Sequence, residues 1–416
     1  MSDRVLALVE SNTSGTGRLF VRRARELGLR PVLITQDASR YRFGDDQPEI
    51  VPARTDEVSD VLRACEELAA AGHRHADVPL AGVGTSSDYY VEVAAAVAGR
   101  LGLPGEDPAA VAATRDKERQ RGLLRTGGVP VPRFAAVSSV DEAAAAVARL
   151  GAPVVVKPVS GSGSRGVRLC GSAPEAVRYA GELLAVRTDE RGRPVPARIL
   201  IEGYVPGEEY SAELFDGAPV GVTRKHLGRP PYFVEVGHDH PAKLSRQDED
   251  DLRDVARQAV ARLGLSFGPA HVELRLGPDG PVIIEVNPRL AGGWIPRLVH
   301  QATGVDLIQE TVRAFAGLPP RPPRPAPAAS LASSIRFLVP DEEGELVAVH
   351  GTEDATAVPG VTEVRIYKEA GSALRLEGDF RDRLGHVIAL AGTAEAAGAA
   401  AGESLSRLRT EIRTGS

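Results

Sequence analysis

Short continuous apolar runs alternate with amphipathic stretches over the first hundred residues. RVLALVE, PVLIT and VPLAGVG have the length and composition of buried parallel strands. Amphipathic helices are predicted around Leu19–Leu27, Val58–Ala71 and Tyr90–Leu101, between and after them. Such alternation predicts a doubly wound, Rossmann-like open sheet over residues 1–106. The first strand runs into Ser11-Asn12-Thr13-Ser14-Gly15-Thr16-Gly17, a small-residue loop able to present N–H groups to an anion. Its GTG lacks the GxGxxG spacing, and a tight strand–helix turn explains it without a ligand. The loop still opens at the carboxyl ends of the strands, where such sheets place ligands.

The pattern then changes. A charged helix is predicted from Asp107 to Gly127, with Pro130 and Pro132 marking a boundary. Strand APVVVKPV, loop SGSGSRGV, helix PEAVRYAGELLA and strand ARILIEGYV follow, so residues 107–205 are expected to form one α+β unit. Another is expected over 206–318. It holds two strand-like runs, GPAHVELRLG and PVIIEVNP, joined by the turn Gly277-Pro278-Asp279-Gly280. A stiff proline-rich linker is predicted over 319–328, and a small strand-rich unit over 329–416 from SSIRFLVP, GELVAVHG, VTEVRIYK and a closing alanine-rich helix.

At 416 residues and 43% apolar content, two or three cores are expected. A net charge of −6 argues against general nucleic-acid binding. Cys65 and Cys170 are too few for a disulfide framework or a cysteine zinc site, and both are expected to be small buried hydrophobes. No signal peptide is evident, and no apolar run approaches the roughly 20 residues that span a bilayer. A soluble, cytoplasmic protein is expected.

Chemistry concentrates in a few places. Glu285, Asn287 and Arg289 occupy alternate positions and are expected on one face of a strand, with Glu273 brought alongside by the preceding turn. Two carboxylates and an amide oxygen suit Mg²⁺, and Arg289 can clamp an anion beside it. An ordinary charged hairpin face is the plainer alternative. Lys157 ends a buried strand ahead of Ser162, Gly163, Ser164 and Gly166, a loop whose N–H groups can cradle phosphate. Lys117 taken alone is a solvated helix charge. The connector Glu202-Gly203-Tyr204-Val205 can offer backbone groups to an adenine edge, and Glu209 can take ribose hydroxyls; a hairpin with acidic turn residues explains the same segment.

Together, Lys117, Lys157 with its glycine loop, EGYVPGEEYS, and Glu273 with Glu285-Val286-Asn287-Pro288-Arg289 resemble the ATP-grasp enzymes in order and spacing. The resemblance covers nearly the whole chain. It implies that Lys117 and Lys157 contact ATP phosphates beneath the loop of Ser162, Gly163, Ser164 and Gly166. It makes Glu202, Tyr204 and Val205 the adenine hinge, Glu209 the ribose ligand, and Glu273, Glu285 and Asn287 the Mg²⁺ site, with Mn²⁺ an alternative ion. The reaction implied is phosphorylation of a carboxylate and displacement of phosphate by an amine. The segment Tyr232–Pro241, with Glu235 and His238, followed by NPR-x-AGG-x-IP, with Gly292 and Trp294, resembles the L-amino acid ligase branch. There Glu235, His238, Arg289, Gly292 and Trp294 would meet the small-molecule carboxylate and amine substrates, Arg289 and His238 catalytically. Glu235 and His238 are three apart, so a turn at Gly237 is expected to bring them to one pocket. A zinc site at His226, His238 and His240 is the weaker alternative, and His271 is expected to support the metal or simply pack. A homodimer is left open. Biotin carboxylase-like or formate-using enzymes, or a non-catalytic nucleotide-binding regulator, are the competing implications.

Overall fold

The computed structural model describes residues 4–13, 16–72, 79–189, 191–321 and 331–414. Ser14 and Gly15 of the small-residue loop, and 322–328 of the predicted linker, lie outside the described residues.

Four parallel strands form the N-terminal sheet in the order β3-β2-β1-β4: β1 (Val5–Val9), β2 (Arg30–Thr35), β3 (Glu49–Pro52) and β4 (Leu80–Gly84). β1 is buried on both faces, which is why it lacks polar alternation. One face packs against the helices Val58–Gly72 and Val91–Arg100 through Val61, Cys65, Val97 and Ala98. On the other, Phe20 and Val21 of the helix Gly17–Glu26 meet Leu307, Ile308 and Val312 from much later in the chain. That shared core sets the carboxyl ends of β1 and β4 beside the segment that follows Asn287.

The small lobe is an antiparallel sheet in the order β5-β8-β6-β7: β5 (Phe134–Val137), β6 (Val154–Pro158), β7 (Arg168–Cys170) and β8 (Ile199–Gly203). The helices Val140–Leu150 and Ala173–Leu184 contribute to its core, and Cys65 and Cys170 are both free and buried. The charged helix expected over 107–127 is two helices, Pro108–Arg115 and Lys117–Thr126. Asp116 breaks it, adopting an extended conformation and capping the second helix by accepting from the Glu118 and Arg119 N–H groups at 3.0 and 3.1 Å.

An eight-stranded sheet carries the rest. Its strands are β9 (Glu208–Phe215), β10 (Ala218–Leu227), β11 (Glu235–His240), β12 (Pro269–Gly277), β13 (Gly280–Asn287), β14 (Ala332–Leu338), β16 (Val361–Ile366) and β18 (Gly385–Ala391), in the order β13-β12-β9-β10-β11-β14-β18-β16. Three strands from beyond residue 329 thus extend the sheet of the preceding unit through the β11–β14 pairing. β15 (Gly344–His350), β17 (Ala373–Leu374) and β19 (Arg409–Arg413) make a separate three-stranded sheet. Period-two alternation divides the large sheet sharply. Tyr210, Ala212 and Leu214 of β9 and Ala270, Val272 and Leu274 of β12 join the core against the helix Arg246–Arg262. Glu209, Ser211 and Glu213, and His271, Glu273 and Arg275, point to the opposite face, and most are buried there as well. A buried face lined with charges must pair them, because an isolated buried charge is costly.

Candidate active site

The hairpin of β12 and β13 sets Glu273 directly across from Glu285, and His271 across from Asn287. Each carboxylate is already neutralised. Glu285 meets Lys117 Nζ at 3.0 Å, while Glu273 meets Lys225 Nζ at 2.9 Å and His271 Nε2 at 3.1 Å. His271 Nδ1 in turn lies 2.9 Å from Glu213. Burial opposes charge on His271, but Glu213 and Glu273 outweigh it and raise its pKa to about 9. Among the described residues no cluster of three or more His, Cys, Asp or Glu side chains forms a ready metal cage. Two carboxylates and the buried Asn287 amide nevertheless supply the hard oxygens that Mg²⁺ takes when phosphates complete its shell.

Arg289 departs from the expected alternation. β13 stops at Asn287 because Pro288 cannot continue the ladder, and the Arg289 N–H turns back to the Asn287 carbonyl at 2.9 Å. Its guanidinium reaches the N-terminal unit, where Nε donates to Asp88, just beyond β4, at 2.9 Å. Arg115 binds the other oxygen of Asp88 at 2.7 Å. Burial would raise the Asp88 pKa, but the two arginines prevail and hold it well below the carboxylate range.

In the small lobe, Lys157 Nζ lies 2.6 Å from Glu202, and Arg121 Nε lies 2.7 Å from the other oxygen of that carboxylate. All three side chains are buried. Burial lowers the Lys157 pKa against the pull of Glu202, whose own pKa is lowered by Arg121 and Lys157 despite burial. The Glu202 carboxylate is therefore engaged internally. Beyond it, the Val205 carbonyl accepts from Arg275 at 2.9 Å, and that guanidinium stacks 5.2 Å from the Tyr204 ring. Arg275 and Lys225 both hold Glu209, each at 3.0 Å. Lys117 also donates to the Gly161 carbonyl at 3.0 Å, pinning the glycine loop. In that loop Gly163, Ser164 and Gly166 all have positive φ, and a Cβ on Gly163 would lie 2.5 Å from Phe380. A larger residue there would have to displace the Phe380 ring and adopt a strained backbone.

A register shift between β10 and β11 pairs Leu227 with Glu235 and Lys225 with His238. This bulge, rather than a turn at Gly237, brings Glu235 and His238 to one face, 3.6 Å apart. Glu235 is gripped by Lys225 at 2.8 Å and by Arg383 at 2.7 Å. His238 is wholly buried, and neither ring nitrogen has a hydrogen-bond partner. Burial depresses its pKa to about 3, leaving it neutral. The ring lies against bare backbone at Gly293, where a Cβ would sit 2.5 Å from Nε2.

Short contacts thus gather these residues into three groups: Lys157 and Arg121 on Glu202, Lys117 on Glu285, and Lys225 on Glu209, Glu235 and Glu273, with His238 beside Glu235. Trp294 is placed differently. Its ring packs with Leu298, Ile335, Phe337 and Ile388, and its Nε1 donates to Tyr367 at 3.0 Å. Gly292 is exposed with open space around it. His226 pairs with Asp239 at 2.6 Å and His240 with Thr223 at 2.9 Å, so those rings have other duties than zinc. Lys225, Arg275, Arg121, Arg383 and Asp88 were not foreseen. For Arg275 a signal existed, since it lies between Leu274 and Leu276 on a strand.

Comparisons with known proteins identify the family. The ATP-grasp N-terminal domain matches residues 21–105, the ATP-grasp domain residues 150–297, and the L-amino acid ligase C-terminal domain 2 residues 336–413. An uncharacterised protein, y4rH, of Sinorhizobium fredii is 33% identical over 393 residues, covering 93% of this chain and 79% of its own. Carnosine synthase 1 of Gallus gallus is 33% identical over 344 residues, 76% of this chain but 36% of that protein, so the chain spans about a third of it. The crystal structure of L-amino acid ligase from Bacillus licheniformis matches over 100% of both chains with a TM-score of 0.83 at 22% identity. Phosphoribosylglycinamide synthetase from Anaerococcus prevotii follows the same fold over 99% of this chain and 100% of its own, with a TM-score of 0.72 at 17% identity. The chain belongs to the ATP-grasp family, in the branch that carries an L-amino acid ligase C-terminal domain.

Proposed function

We propose that this protein activates the carboxylate of an amino acid with ATP and joins it to an amine, giving an amide, ADP and phosphate. The observation that carries the reading is a set of three buried ionic clusters built from carboxylates and lysines of both lobes. They are Lys157 with Glu202 on the small lobe, Lys117 with Glu285 at the lobe junction, and Lys225 with Glu209, Glu235 and Glu273 on the large sheet, where His238 lies beside Glu235. Names among the relatives, which include a carnosine synthase and a D-alanine–D-alanine ligase, support the same chemistry.

Glu273, Glu285 and Asn287 would hold Mg²⁺, which when bound shields phosphate charge and fixes the in-line geometry. Lys117 and Lys157 leave their carboxylate partners for phosphate oxygens as charge develops in transfer. Arg289, oriented by Asp88, presents a planar fork to the acylphosphate and then to the tetrahedral oxyanion, a task suited to arginine. Glu235 suits a substrate ammonium. Neutral His238, with both nitrogens unbonded, orients the incoming amine by hydrogen bonding; a ring with a pKa near 3 is a weak proton acceptor.

The test is phosphate release from Mg-ATP across single and paired amino acids, with product masses determined. Release that requires a pair, with an amide mass, supports the reading. ATP binding without release under any pair would overturn it in favour of a nucleotide-binding regulator.

A further inference from the structure

The ionic clusters account for phosphates and amine but say nothing about which acid is activated. Beside Arg289, between the N-terminal sheet and the exit of β13, lies a cavity of about 60 Å³. Val91, Ala94 and Ala95 of one helix, Val111 of the next, Leu290 and Phe315 form its wall. Phe315 closes one side by lying against bare backbone at Gly84, where a Cβ would come 2.1 Å from its ring. The cavity sits beyond the carboxyl end of β4, the position at which parallel open sheets receive ligands.

Asn12 and Thr16 border its loop end, while the other polar side chains of its lining, Arg289 apart, are already engaged. Ser86 Oγ is engaged by Ser11 Oγ at 3.0 Å and the Asn12 N–H at 3.2 Å. Thr85 Oγ1 accepts from the Ser87 N–H at 2.9 Å, and Thr311 Oγ1 donates to the Leu307 carbonyl at 2.7 Å. Glu106 takes the N–H groups of Ser266 and Phe267 at 2.8 and 2.9 Å. A hydroxyl, amide or charge entering here would lose water with little in return. Arg289, on the same wall, is the group that draws an anion.

Resting on the ligase reading above, we infer that this cavity receives the side chain of the acid that is activated, and that the acid is a small aliphatic amino acid. Its carboxylate faces Arg289 while its side chain fills the apolar end. At about 15 Å³ of such volume per water-sized group, roughly four heavy atoms fit, the span from alanine to leucine. Aromatic side chains are disfavoured by size, and charged ones by how few polar groups at the apolar end are free among the described residues.

The experiment compares kcat/KM for glycine, alanine, valine, leucine, phenylalanine and glutamate as the activated acid, in wild type and in two variants, with thermal melts alongside. Wild type should favour alanine through leucine. Ala95→Leu should lower the leucine-to-glycine ratio on the order of tenfold or more, and Val111→Ala should shift preference toward larger side chains. A preference for phenylalanine or glutamate, or ratios unmoved in Val111→Ala and in a folded Ala95→Leu, would overturn the assignment and mark the cavity as a packing void. In either case phosphate release with some pair leaves the ligase reading standing. Silence across the panel removes that reading and this inference with it.

Discussion

Lys225 lies within 3.0 Å of Glu209, Glu235 and Glu273, and its ammonium is what lets three carboxylates share one face of the sheet. Removing it would leave them facing one another, so the residue is structural and electrostatic at once. Asp88 plays the reciprocal part for Arg289 and Arg115, one carboxylate against two guanidinium groups. Asp88→Asn keeps the shape and removes the charge. We expect kcat to fall on the order of tenfold to a hundredfold, with the KM for ATP little changed, because Arg289 loses its orientation while Lys117 and Lys157, the proposed phosphate contacts, do not. Steady-state kinetics with ATP and amino acid varied separately will show it. Equal loss in KM for ATP would mean that Asp88 acts through lobe packing.

At the scale of elements, the break at Asp116 matters most. It starts a helix at Lys117, so the lysine's position is tied to a cap. Asp116→Ala should destabilise the protein by about 1 kcal/mol and raise the KM for ATP, read by chemical denaturation and kinetics. Asp116→Asn retains a capping oxygen and should preserve most of both, although it also weakens the pairing with Arg198. If Asn and Ala behave alike, the ion pair and not the cap sets the helix start. The bulge in β11 is the second decisive element. Without it, residues three apart on a strand face opposite ways, and Glu235 could not join His238.

Over the whole molecule, the N-terminal sheet, the two ATP-grasp lobes and the C-terminal strands meet at the site, and no helix among the described residues is long and apolar enough to cross a membrane. Arg383 from the C-terminal stretch holds Glu235, and Phe380 packs on the glycine loop at Gly163. The proposed Mg²⁺ seat is charge-balanced by Lys117, Lys225 and His271. Chelation with EDTA should therefore abolish phosphate release while moving the melting temperature by only a few degrees, on the scale of about 1 kcal/mol, as a melt with and without EDTA will record. Unfolding on chelation would show the ion to be structural.

Local pattern determined much of this. The continuous apolar runs of β1 and β2, the glycine loop after Lys157, and the turn that pairs Glu273 with Glu285 are short-range features, set by propensity and period within a few residues. What period cannot carry is distance across the chain. The contact of Arg289 with Asp88 spans 201 positions and that of Arg383 with Glu235 spans 148. Nothing near either arginine names its partner. Likewise Arg121 and Gln120 sit in a charged helix that looks solvated, yet are buried because the lobe closes over them. Pairing of buried charge is settled by which faces the tertiary fold brings together, since only there does desolvation force each ion to find its counter-ion.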